Sequence, residues 1–313
     1  RVPPIKGGGE VGKVTRAQYA LSDYIGHIIS TTNLRFDGMK VALDCANGSA
    51  CVTAKELFTT LGAECHIVSA EPDGVNINDR CGSTHLEQLQ AYTVEQGCDI
   101  GLAFDGDADR LLVIDEKGGL IDGDKIIAIC ALDMKRRGQL AKDAAVVTVM
   151  SNMGFFQFCK HNGIQCKTTK VGDRYVLEHM LKHRYSIGGE QSGHIIFAKH
   201  ATTGDGILTS LKLMEVIIEK KMPLSTLTKE VKIYPQVLKN VRVLDKKAAR
   251  ENEKVVEAVK QVEEALGNDG RILVRESGTE PLIRVMVEAA TDEICEHYVN
   301  QVLEVIEAEH LMA

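Results

Sequence analysis

The sequence predicts an α/β protein: two similar mixed-sheet α/β domains followed by a smaller α+β C-terminal domain. Three observations carry this. From about residue 40 onward, short apolar runs alternate with helical stretches at the spacing of parallel strand–helix–strand units. The alternation restarts: Asn47-Gly48 and Asn152–Gly154 each follow an apolar strand and precede a helix, about 105 positions apart. Beyond Tyr234-Pro235 the order changes to strand, helix, a pair of strands around a turn, and a last helix.

These breaks divide the chain into four stretches. Residues 1–36 read as a Pro/Gly-rich linker and a leading helix over Val14–Ser30, with Ala17, Leu21, Tyr24, Ile25 and Ile28 on one stripe. Asp37-Gly38 ends it. Residues 37–137 hold strands Lys40–Asp44, Cys65–Val68, Asp99–Phe104 and Leu111–Ile114. Their helices are Val52–Leu61, a stretch opened by a capping box at Thr84–Glu87, and Asp124–Arg136. Residues 138–234 repeat the theme with strands Ala145–Met150, Cys166–Thr169, Tyr185–Ile187 and Ile195–Phe197, and a helix around Phe155–Lys160. Residues 235–313 form the α+β domain, with strands Val237–Val243, Arg271–Arg275 and Ile283–Glu288.

Composition narrows the function classes. The 313 residues are 44% hydrophobic and 26% charged, which excludes disorder and low complexity. A net charge of −7 argues against nucleic acid or an anionic membrane as partner. The longest apolar run, Ile126–Leu132, is far too short to span a bilayer. Arg1–Lys6 show no apolar leader, and the first residue is not methionine, so the chain reads as a piece of a longer cytoplasmic protein. The 9 cysteines show no C-x-x-C spacing and read as reduced, mostly buried thiols.

In sheets of this kind, ligands sit beyond the carboxyl ends of the strands. The loops there are informative. Asp105-Gly106-Asp107-Ala108-Asp109-Arg110 carries three carboxylates at alternate positions after a strand. Hard divalent cations take oxygen ligands, and small residues let a loop curl around one ion. Without a cation three such charges repel. Glu116 falls at the twelfth position of an EF-hand, but Arg110 stands where that loop needs glycine, and both flanks are strands. Gly188–His194 brings glycines together with Glu190, Ser192 and His194, donors and acceptors suited to hydroxyl groups; a plain polar hairpin is the competing reading. Arg275–Pro281, with Arg284 beyond it, offers Ser277, Gly278 and Thr279 as an anion nest and two guanidiniums as a clamp. A tight hairpin would also want Ser-Gly here. Lys170 ends a strand, where a ligand cation would sit, and Asp173 reads as a cap of the next helix. Metal, hydroxyl and phosphate loops in three successive domains add up to a phosphosugar site.

Asp105–Arg110, Gly189–His194 and Arg275–Pro281, in this order, resemble the α-D-phosphohexomutase superfamily. Glu71–Asn76, Lys170–Tyr175, Thr202–Gly206 and Ser277–Val287 resemble, more narrowly, its bacterial phosphoglucosamine mutase branch, as does Gln191, where methionine would suggest phosphomannomutase/phosphoglucomutase. The resemblance implies four domains, of which this chain matches the second to fourth. The first carries a phosphoserine in a Thr-x-Ser-His-Asn-Pro-like motif that these residues lack. It further implies interconversion of glucosamine 6-phosphate and glucosamine 1-phosphate through a bisphosphate, feeding UDP-N-acetylglucosamine synthesis. Asp105, Asp107 and Asp109 would hold Mg²⁺, and Arg110 would serve the transferring phosphoryl group. Lys170, Glu190, Ser192 and His194 would serve the sugar. Arg275, Ser277, Gly278, Thr279 and Arg284 would hold the second phosphate. The partners implied are a hexosamine phosphate, the missing N-terminal domain and a second copy in a homodimer. Two rivals stand beside this. One is a phosphatase of the haloacid-dehalogenase type using Asp105 as nucleophile, although Asp109 stands where that chemistry wants Thr or Val. The other is a non-catalytic sugar-phosphate-binding fragment.

Overall fold

The computed structural model describes residues 7, 9, 11–278 and 280–313. The first sheet contains β1 (Lys40–Asp44), β2 (Glu64–Val68), β3 (Ile100–Phe104), β4 (Leu111–Asp115) and β5 (Leu120–Ile121), ordered β2-β1-β3-β4-β5. β1 runs parallel to β2 and β3, while β4 turns back antiparallel on β3. α1 (Ala20–Ser30), α2 (Ala54–Thr60) and α3 (Glu87–Glu95) accompany it. After α4 (Gly123–Arg136), the second sheet repeats the plan with β6 (Ala144–Thr148), β7 (Gln165–Thr169), β8 (Ile187–Gly189) and β9 (Ile195–Phe197), ordered β7-β6-β8-β9. β6 is parallel to β7 and β8, and β9 is antiparallel to β8. Its helices are α5 (Met153–His161), α6 (Asp173–His183), α7 (Gly206–Lys220) and α8 (Leu224–Leu227). The third sheet, β10 (Gln236–Arg242), β11 (Arg271–Glu276) and β12 (Leu282–Glu288), is antiparallel in the order β10-β12-β11. α9 (Lys246–Glu251), α10 (Glu253–Leu266) and α11 (Asp292–Ala308) cover it.

β3 and β6 are buried along their whole length, as apolar central strands of parallel sheets should be. One continuous apolar core joins the first two sheets, from Ile25 to Val231, whereas the third domain has its own core around Val262, Val285 and Val302. The third domain is fastened to the second by a buried polar knot. Glu288, fully buried, accepts from Arg271 Nε at 2.7 Å and from Met153 N–H at 2.8 Å. Arg271 also donates to the Ser151 carbonyl, and Asn152 N–H donates to Asp124 at 2.6 Å. Burial pushes the Asp124 carboxyl up to about 8.

Several elements differ from the sequence expectation. α1 begins at Ala20, six residues later than Val14, and Leu21 on its expected stripe is exposed. The capping box does not form: Thr84 lies in a 3₁₀ turn, Gly82–Thr84, and Leu86 occupies the cap of α3. α4 packs against α5, α7 and β8, so the second layer begins near Asp122 rather than at 138. α7 has no counterpart in the sequence reading. Ten of its residues are buried, and Lys212, Glu215 and Glu219 line its outer side.

Candidate active site

The acidic loop is the turn between β3 and β4. Ala108 N–H donates to the Asp105 carbonyl at 3.1 Å, and Ala108 takes a left-handed conformation with φ 58°. That kink, not an extended strand, makes the acids converge: ligand oxygens of Asp105, Asp107 and Asp109 all lie within 4.8 Å of one another. Asp105 accepts from Arg110 N–H at 3.1 Å, and Arg110 Nε stands 3.7 Å from both Asp105 and Asp109. Burial, together with the neighbouring carboxylates Asp109 and Asp107, pushes the Asp105 carboxyl up to about 6. Asp109 Oδ1 is buried without a hydrogen-bond partner. Crowded carboxylates and an orphaned buried oxygen fit a divalent cation taking oxygen ligands.

The Gly188–His194 loop is the corresponding turn between β8 and β9, and it meets the acidic loop through the backbone. Leu111 N–H donates to the Gly193 carbonyl at 3.1 Å, and Arg110 bridges to His194. Gly193 has φ 93°, and a Cβ there would collide with the Leu111 backbone, so glycine is required. Glu190 accepts from Gly172 N–H at 2.9 Å, which ties the loop to the start of α6. Gln191 donates to Asp122, the cap of α4, at 3.1 Å. His194 is buried; its Nε2 accepts from Gly204 N–H at 3.3 Å and lies 3.4 Å from Asp109. Ser192 and Lys170 are exposed beside this junction in the chain. Asp173 is the first residue of α6 and makes no side-chain cap; Gly172 occupies that position.

The Arg275–Pro281 loop joins β11 to β12. Arg275 and Arg284 face each other in the ladder, and the Nε of each is buried without a partner. Burial, then the Arg284 charge, holds Arg275 below its ordinary range. Glu276 turns to Arg250 at 3.0 Å, away from the pair, while Glu280 lies 3.7 Å from Arg284. Ser277 is buried: its Oγ accepts from Glu280 N–H, and its carbonyl accepts from Lys246. Gly278 follows it, and Thr279 lies outside the described residues. The structure thus joins the acidic loop and Gly188–His194 directly. Among the described residues, no hydrogen bond links either one to Arg275–Pro281.

Sequence reasoning assigned no role to Tyr24 and Asp205. Asp205 caps α7 through Leu208 N–H at 2.8 Å and accepts from Tyr24 Oη at 3.0 Å. An Asp immediately before an apolar run was the available signal; nothing local announces its partner 181 residues away.

Comparison with known proteins gives a concordant picture. Profiles described as "Phosphoglucomutase/phosphomannomutase, alpha/beta/alpha domain II", "alpha/beta/alpha domain III" and "C-terminal domain" match residues 22–119, 122–234 and 238–305. A phosphoglucosamine mutase of Lachnoclostridium phytofermentans is 55% identical over 303 residues, 97% of this chain and 68% of that protein. The chain belongs to the phosphoglucosamine mutase family. A second member, from Oceanobacillus iheyensis, is 50% identical over 98% of this chain and 68% of its own length. The chain therefore spans about two thirds of these relatives. Among solved structures, a phosphoglucomutase/phosphomannomutase family protein of Burkholderia thailandensis superposes with a TM-score of 0.74 at 21% identity, covering 92% of this chain and 64% of that one. Aspergillus fumigatus N-acetylphosphoglucosamine mutase, in complex with GlcNAc-6P and magnesium, gives 0.72 at 20% identity over 91% of this chain and 68% of that one. At such identities the likeness speaks for the fold, two mixed-sheet domains followed by a small sheet domain. Among the described residues no helix is long and apolar enough to cross a membrane.

Proposed function

We propose that this chain carries the metal, sugar and phosphate sites of a phosphoglucosamine mutase interconverting glucosamine 6-phosphate and glucosamine 1-phosphate. The observation that supports the reading is the backbone junction of the two hairpin loops, which sets the three carboxylates beside the loop of Glu190, Ser192 and His194. Asp105, Asp107 and Asp109 would hold Mg²⁺, which offsets negative charge on a phosphoryl group in transfer. Arg110, leaning over the same acids, serves that charge from the protein side. Glu190 and Ser192 orient the sugar, with His194 holding their loop and Lys170 reaching the substrate from the end of β7. Arg275, Arg284, Ser277, Gly278 and Thr279 grip the phosphate that is not in transfer; the partnerless Nε atoms of the arginine pair support this. The phosphoserine that exchanges phosphoryl groups is assigned to the third of the relatives' length outside these residues. The product suits UDP-N-acetylglucosamine synthesis in the cytoplasm.

Calorimetry with glucosamine 6-phosphate tests the phosphate grip. Arg275→Ala removes a charge-assisted contact of about 1.5–3 kcal/mol, so affinity falls roughly tenfold or more. Unchanged affinity returns Arg275–Pro281 to a plain hairpin. The 313 residues alone should form no glucosamine 1-phosphate, while a version extended by the relatives' N-terminal portion turns over at about 1–10³ s⁻¹.

A further inference from the structure

We propose that Tyr24 is a positioning residue for the acidic loop, acting through Asp205 and the segment 204–206. The inference rests on reading Asp105–Asp109 as the cation loop.

α1 is a strut between the first two domains. Its inner face enters the shared core through Ile25 and Ile28. Its polar atoms then reach across to the second domain at three points. Tyr24 Oη lies 3.0 Å from both carboxylate oxygens of Asp205, His27 Nε2 lies 3.0 Å from the His200 carbonyl, and Lys212 donates to the Thr31 carbonyl at 2.6 Å. Only the first of these leads to the site.

Asp205 stands between two glycines that form the floor of the acidic loop. Gly206 N–H donates to the Ala108 carbonyl at 2.9 Å, holding the one left-handed residue of that loop. Gly204 N–H donates to His194, which faces Asp109. The contact is close: a Cβ on Gly204 would come within 2.5 Å of the His194 ring and 2.7 Å of the Asp109 carbonyl. One on Gly206 would come within 2.5 Å of the Arg110 carbonyl. Surfaces packed without clearance pass on displacements of a few tenths of an ångström. Asp205 therefore sets the height of this floor, and the half-buried Tyr24 hydroxyl holds both of its carboxylate oxygens, one of which also caps α7. Removing that hydroxyl leaves the α7 cap intact and frees the floor to shift beneath Ala108 and Asp109.

The test uses the 313-residue chain, with Mn²⁺ alone as probe by calorimetry and amide hydrogen exchange of residues 104–111 without metal. Tyr24→Phe should weaken Mn²⁺ three- to tenfold and accelerate exchange in that segment, with the melting temperature little changed. Asp205→Asn keeps both the α7 cap and an acceptor for Tyr24, and should stay within twofold of the parent. Asp205→Ala should reproduce the Tyr24→Phe loss, and it carries the comparison if Tyr24→Phe fails to fold. Mn²⁺ affinity and exchange both unchanged in a folded Tyr24→Phe protein, or Asp205→Asn as impaired as Asp205→Ala, overturns the proposal. Asp107→Asn separates the two readings. If the parent binds Mn²⁺ no better than Asp107→Asn, the cation assignment fails, and the exchange data alone decide whether Tyr24 positions the loop.

Discussion

The β3–β4 and β8–β9 hairpins occupy the same place in two copies of one plan. Each follows a strand parallel to β1 or β6, and each turns back antiparallel. Each also uses one left-handed residue to make its turn: Ala108 at φ 58° and Gly193 at φ 93°. Their side chains diverge completely. The first loop crowds three carboxylates, one of them with a buried, partnerless oxygen. In the second, the single carboxylate of Glu190 is satisfied by Gly172 N–H, and His194 accepts from Gly204. One slot thus crowds three carboxylates beside a single guanidinium, Arg110, while its twin holds one carboxylate and leaves only the His194 Nδ1 buried without a hydrogen bond. The lesson is that the repeat supplies geometry and the residue types supply chemistry.

The largest test breaks the acidic copy. Asp107→Asn should abolish Mg²⁺ or Mn²⁺ binding by calorimetry and lower turnover of the N-terminally extended protein by about 10²–10³-fold, as losing a main electrostatic contact does. Cation binding surviving this change sinks the contrast between the loops.

The next breaks the second copy. Gly193→Ala places a Cβ on the Leu111 backbone at a left-handed position, a cost of about 1–3 kcal/mol. Because that contact joins the loops, chemical denaturation should show the loss, and cation affinity should fall along with sugar-phosphate affinity. Loss of sugar-phosphate affinity alone would mean the loops are independent.

Protons sharpen the comparison. With the Asp105 carboxyl raised from 3.8 to about 6, the cation-free loop holds a proton that metal must displace. Mn²⁺ affinity should rise with pH up to about 6 and flatten above it. The linked stability has the opposite sign. The folded state binds this proton more tightly than the unfolded chain, so the contribution is full below about pH 4 and lost as pH climbs to about 6. A metal-binding curve that is flat across this window removes Asp105 from the ligand set.

The smallest effect is Ala108→Gly. Glycine relieves the left-handed strain but loosens the unfolded chain, so stability should change by no more than about 1 kcal/mol, with cation affinity kept. A several-fold loss of affinity would mean the alanine methyl itself shapes the loop.

The sequence by itself determined the repeat, the three-part order of the chain and the composition of each loop. Those features are local: apolar runs, turn residues and spaced carboxylates leave a signal within a few positions. The Asp-x-Asp-x-Asp spacing was legible, and so was the curl that the small Gly106 and Ala108 allow; that the curl turns on a left-handed Ala108 was not. The tertiary structure alone decided the rest. It places Leu111 against Gly193, sets Arg275 opposite Arg284, runs Tyr24 to Asp205 and folds α4 into the second layer. Apart from the arginine pair within one hairpin, such contacts join residues tens to nearly two hundred positions apart, and their free energy comes from packing and satisfied backbone groups that exist only once the sheets have closed on one another.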